Sequence, residues 1–94
     1  MLFLYALSKI LLPLNMNIQD LITINEDIQS GQPVFSGTRV PVESLFDHLE
    51  AGISLDDFLD DFPSVTRQQA IDTLEAANKI LTSKNLAQLY AAVA

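Results

Sequence analysis

Ninety-four residues suffice for one domain with one modest core, since at that size about 60 to 65% of the unfolded chain's surface can be buried. Cysteine is absent and His48 is the single histidine, which excludes disulfides, thiolate ligands, cysteine nucleophiles and a multi-histidine zinc cage, so neither a metal nor a cofactor is expected. Twelve acidic residues against five basic ones give a formal charge of −7; such a chain repels phosphate backbones and anionic membranes, and a cytoplasmic protein partner is the expectation.

Residues 1–20 read as an extension. From Met1 to Leu14 apolar residues dominate and Lys9 is the only charge, yet the stretch is too short to span a bilayer. A secretory signal is disfavoured by the missing basic start, the interruption at Lys9 and the lack of a small-x-small cleavage site. Two readings stay open: Met16 is the true start, or the segment packs as an apolar arm or helix.

The domain is expected over residues 21–82. Ile22 to Asn25 reads as a short strand, and Asn25, Glu26 and Asp27 as the capped start of a single helical turn that Ser30-Gly31-Gln32-Pro33 breaks. Val34-Phe35 and Arg39-Val40 flank a Gly-centred turn, Ser36-Gly37-Thr38, and predict a small hairpin. Pro41 ends strand pairing and opens a helix.

From Val42 the period changes. Val42, Leu45, Phe46 and Leu49 stand at i, i+3, i+4 and i+7, which predicts a helix over about Val42 to Ala51, closed by Ala51-Gly52-Ile53 in Schellman fashion. Ser54 with Asp57 resembles a capping box and opens a second helix with an apolar stripe at Leu55, Phe58, Leu59 and Phe62, stopped by Pro63. Thr66 with Gln69 is a further capping box, and Ala70, Ile71, Leu74, Ala77 and Leu81 predict the buried face of a longer third helix. Phe46, Leu49, Phe58, Phe62, Ile71 and Leu74 are the expected core. Residues 83–94 form a tail, helical from Asn85 to Ala94. The fold class is therefore mainly α: a short N-terminal β-hairpin followed by a three-helix, helix-turn-helix-like bundle.

The run GQPVFSGTRVPV, Gly31 to Val42, resembles the signature of the bacterial domain of unknown function 433 family, roughly Gly-Lys-Pro-x-hydrophobic-x-Gly-Thr-Arg-hydrophobic-Pro-Val. Gln32 stands where that pattern usually has Lys. Downstream, Leu49 to Ala77 is similar to the family's Leu-x-x-Gly, acidic helix, aromatic-Pro and long final helix, so the likeness covers Ile22 to about Leu81 and leaves both ends outside. Gly31, Pro33, Gly37, Thr38, Pro41, Gly52 and Pro63 are its structural motif positions. The resemblance implies a helix-turn-helix-type domain, not known for catalysis, often encoded beside a small PIN-type nuclease and regarded as its antitoxin.

Arg39 is the most pointed residue, a planar guanidinium fork on a tight turn. It either occupies the acidic metal-binding cluster of a PIN-type partner or pairs internally with Glu43, Asp47 or another acid, clamping hairpin to helix. Gly31 and Gly37 form no phosphate loop, because no Gly-Lys-Ser/Thr follows. His48 reads as a lone surface histidine without nucleophile or second base. Asp56, Asp57, Asp60 and Asp61 lack the Gly-centred loop of calcium sites and read as a solvated acidic face.

That face bears on DNA. In a helix-turn-helix the helix before the recognition helix crosses the phosphate backbone, and here it carries those four aspartates. The recognition positions would be Thr66, Arg67, Gln68, Gln69 and Thr73. Arg39 and Arg67 alone cannot neutralise a footprint of about six to ten phosphates, so DNA binding would need a homodimer or a complex. Leu86, Leu89, Tyr90 and Val93 repeat at i, i+3, i+4 and i+7, a stripe that either enters a groove on a partner or packs on the chain's own core. The expectation is a non-enzymatic, antitoxin-like module for a small PIN-type nuclease, with Arg39, Leu86, Leu89 and Tyr90 as contacts. The alternative is a DNA-binding transcriptional regulator of helix-turn-helix type.

Overall fold

In the computed structural model, which describes residues 17–83 and 86–93, the first described element is a one-turn helix, α1 (Ile18–Leu21). The Asn17 side chain starts it by accepting the Gln19 N–H at 2.9 Å, and Leu21 is buried. The apolar stretch from Met1 to Leu14, and Met16, lie outside the described residues.

The strand β1 (Ile22–Thr23) follows directly and pairs antiparallel with β2 (Val34–Phe35), Ile22 opposite Phe35 and Thr23 opposite Val34. The expected hairpin between Val34-Phe35 and Arg39-Val40 is thus not the ladder that forms. The returning leg adds one isolated bridge, Val34 with Pro41, made by the Phe35 N–H to Val40 C=O and Val42 N–H to Pro33 C=O bonds, 3.0 Å each. Pro41 has no N–H to donate, so pairing there rests on its neighbours and stops at once. With a partner on either side, Val34 and Phe35 are fully buried.

Between the strands, the Asn25 side chain accepts the Asp27 N–H at 2.9 Å, as a capping residue should. The turn closes with the Ile28 N–H to Asn25 C=O bond at 2.8 Å, and the break that follows it is a left-handed turn. Gln29, Ser30 and Gly31 have φ of 50°, 57° and 85°, and bonds from Gly31 N–H to Ile28 C=O and from Gln32 N–H to Gln29 C=O, both 3.1 Å, close it. For Gln29 and Ser30 this left-handed conformation costs about 1 to 2 kcal/mol each.

The three expected helices are present: α2 (Val42–Glu50), α3 (Leu55–Asp61) and α4 (Arg67–Thr82). The first ends on the full Schellman pattern, Gly52 at φ 81° with Ile53 N–H to His48 C=O at 2.9 Å and Gly52 N–H to Leu49 C=O at 3.0 Å. Ser54 caps α3 by accepting the Asp57 N–H at 3.1 Å. The reciprocal half of that box is missing, for Asp57 is a methylene shorter than the usual Glu. At α4 both halves of the Thr66–Gln69 box are made. A last helix, α5 (Leu86–Val93), lies in the tail.

Phe35, Leu45, Phe58, Val65 and Ala70 form the core, with Val40, Val42, Leu49, Leu55, Leu59, Phe62 and Leu74 packed around it. Two expected core residues move out. Phe46 is half-buried and lies outside this cluster, its place taken by Leu45, one residue back. Ile71 is 43% exposed and Leu81 is exposed, while Ala70, Thr73 and Ala76 are the buried positions of α4. The buried positions of this helix are thus its small side chains. The fold is therefore mainly helical with a short antiparallel strand pair, and among the described residues no helix is long and apolar enough to cross a membrane.

Candidate functional site

The segment Ser36 to Val40 is braced from three sides. Thr38 is its pin: its N–H and its hydroxyl both donate to the Phe35 carbonyl, at 3.0 and 2.8 Å, and the same hydroxyl accepts the Val40 N–H at 3.0 Å. The Thr23 and Ser36 hydroxyls bond at 3.2 Å, tying the turn to β1, and the Gln69 side-chain amide donates to the Ser36 carbonyl at 2.8 Å, tying it to α4. Gly37 takes the turn at φ 77°, a conformation that glycine adopts without a Cβ penalty.

Arg39 stands between the pinned Thr38 and Val40, exposed. Among the described residues Arg67 pairs with Asp56, and Lys79 with Glu75 at 3.7 Å; Arg39 alone of these cations has neither an ion pair nor a side-chain hydrogen bond. The internal clamp is not formed. Glu43, one of its candidate partners, accepts instead from the Gln32 side-chain amide at 3.0 Å. Arg39 lines an open groove of about 620 Å³ together with Thr23, Ile28, Thr38, Val40 and Ser64, and Ile28 leads into the left-handed turn.

The residues expected to read DNA are committed elsewhere. Thr66 and Gln69 bond each other in the capping box, Arg67 is engaged by Asp56, and Gln68 donates to Asp72 at 2.8 Å. Thr73 is only 5% exposed, with its hydroxyl donating to the Gln69 carbonyl at 2.8 Å, so it cannot reach a base edge. It is a buried helix-packing residue.

Of the terminal stripe, Leu86 is half-buried and Tyr90 is 74% exposed; the side chains of Leu89 and Val93 lie outside what is described. Asp56, Asp57, Asp60 and Asp61 are all exposed. His48 is half-buried rather than a free surface residue. Its ring packs edge-on against Phe58 and Phe62, centroids 5.3 and 5.4 Å away, and Nδ1 lies 2.7 Å from the Ser44 carbonyl, which can only accept, so Nδ1 carries a proton. Nε2 faces Asp61 at 3.7 Å. The signal for this placement was the helical triplet Leu45, His48, Leu49.

A family model described as "Protein of unknown function (DUF433)" matches residues 22–76, a span from β1 into α4 that contains the whole Arg39 turn. No curated protein and no solved structure matches the chain.

Proposed function

The chain belongs to the DUF433 family, and we propose that it is a non-enzymatic protein-binding module of the cytoplasm, the antitoxin-like partner of a small PIN-type nuclease. One observation carries this reading: the unpaired Arg39, held on a turn that β1, β2 and α4 all brace. In a chain of charge −7, carboxylates for an arginine are plentiful, yet this one is exposed and pairs with none among the described residues. A guanidinium fork matches the geometry of carboxylates, and a PIN-type nuclease gathers acidic side chains to hold its metal ions. The guanidinium enters that cluster and blocks it, while α2, α3 and α4, in a helix-turn-helix-like arrangement, serve as the scaffold. Tyr90 on α5 is the second contact. DNA binding through α4 has no comparable support, because Thr66, Arg67, Gln68, Gln69 and Thr73 are already bonded within the chain; it would need a homodimer or a complex to supply cations.

The test is co-expression with the product of the neighbouring gene. The two proteins should co-purify, and ribonuclease activity should appear when Arg39→Ala replaces the native chain. Full inhibition by Arg39→Ala, or absence of any complex, would sink the proposal.

A further inference from the structure

Phe46 is a large apolar residue on α2 that the core leaves half in water. It is absent from the aromatic contacts that join Phe35, His48, Phe58 and Phe62 and from the residues packed on the core. Instead it lines a second groove, of about 380 Å³, whose apolar wall it shares with Pro33 and Val42 and whose polar lining is Gln32, Glu43, Asp47 and Glu50. These three acids stand at i, i+4 and i+7 of α2, with Phe46 three residues after Glu43 and four before Glu50, so ring and carboxylates share one side of the helix. All three are exposed, and among the described residues none is in an ion pair. Glu43 accepts only the neutral Gln32 amide.

An apolar wall alone would fit many occupants, but the acidic lining narrows the choice. An aliphatic side chain would leave three carboxylates uncompensated around it, whereas an arginine lays its methylenes along Pro33 and Val42, its guanidinium plane on the Phe46 ring, and its N–H groups towards the carboxylates. We propose that the Phe46 groove is a docking site for an arginine side chain of a protein partner, bound between Glu43, Asp47 and Glu50. This site is independent of Arg39, and it gives the chain a contact of opposite charge sense.

The probe is the capped tripeptide Ac-Gly-Arg-Gly-NH2, titrated into the full chain and followed by NMR at the Phe46 ring and the amides of residues 42–50. Saturable shifts confined to that face are expected. Replacing arginine by citrulline, its neutral analogue, should weaken binding about tenfold, as should the triple variant Glu43→Gln, Asp47→Asn, Glu50→Gln. Phe46→Leu keeps the apolar bulk, removes the ring face and should weaken it several-fold. An unchanged unfolding curve for the triple variant guards against misfolding. A norleucine peptide that binds as tightly as the arginine peptide would overturn the proposal, making the groove merely apolar. Shifts centred on Asp56 to Asp61 would overturn it as non-selective attraction to acids. Groove shifts that follow protein concentration without peptide would assign the face to a second copy of the chain, and no saturation at all would equally dismiss an arginine site.

Discussion

The side-chain amide of Gln69 bonds the backbone at two places far apart in sequence: its oxygen accepts the Thr66 N–H at 3.0 Å and its nitrogen donates to the Ser36 carbonyl at 2.8 Å. One residue therefore starts α4 and fastens the turn that carries Arg39. Gln69→Glu keeps the oxygen that Thr66 needs and replaces the donor that Ser36 needs. It should cost about 1 to 3 kcal/mol, the range for a half-buried acceptor that loses its partner, or roughly 4 to 8 °C in Tm per kcal/mol for a domain this small. Gln69→Ala loses both bonds and should cost more. Equal melting temperatures for the native protein and Gln69→Glu would show that the Ser36 bond contributes nothing.

A second expectation follows from the phase of the helices. Phe58 is fully buried at the centre of the aromatic cluster, whereas Ile71 is 43% exposed. Phe58→Ala should cost about 3 to 5 kcal/mol, and Ile71→Ala should stay below about 1 kcal/mol, since a half-exposed side chain has less burial to lose. Urea unfolding separates the two, and comparable losses would mean that α4 presents a different face to the core.

Much of the helical frame was legible because caps are local. Ser54, the Thr66–Gln69 box and Gly52 mark the ends of α2, α3 and α4 with side-chain or φ requirements that one stretch of sequence states on its own. The strand pairing was not legible in the same way: two-residue strands have no period, and β2 pairs on both flanks, as a ladder with β1 across the long loop and as a single bridge with the nearer leg that Pro41 cuts short. Nor was the rotation of α4, which buries the small Ala70, Thr73 and Ala76 and leaves the larger Ile71 43% exposed. The left-handed turn uses Gln29 and Ser30, neither of which announces positive φ. Arg39 was conspicuous as a residue, but its lack of a partner depends on where Glu43 lies in space and on Gln32 reaching it first.

Arg39→Ala should leave the unfolding curve within about 0.5 kcal/mol of the native one, as surface changes without partners do. Calorimetry of the isolated chain checks this apart from any partner. A loss above about 1 kcal/mol would restore the internal clamp, for a satisfied hydrogen-bonded charge contributes at that level.

Gly52 holds the left-handed position that both Schellman bonds require. Gly52→Ala meets open space at the new Cβ, so its effect isolates the backbone term, a loss of about 1 kcal/mol. Far-UV circular dichroism during heating should show an earlier midpoint with unchanged starting helicity. An unchanged midpoint would mean that Ala51 to Ile53 finds another way to end α2.

The central place of β2 also bears on the order in which the molecule opens. Its two flanks are anchored to different parts of the chain, Ser36 N–H to the Leu21 carbonyl on one side and Phe35 N–H to the Val40 carbonyl on the other, both at 3.0 Å. Neither neighbour can detach without uncovering a fully buried strand, which couples the N-terminal edge to the Arg39 turn as one cooperative unit. In hydrogen exchange the Phe35 and Ser36 amides should then exchange together and slowly, at the rate of global opening, although one closes an isolated bridge and the other the end of a ladder only two residues long.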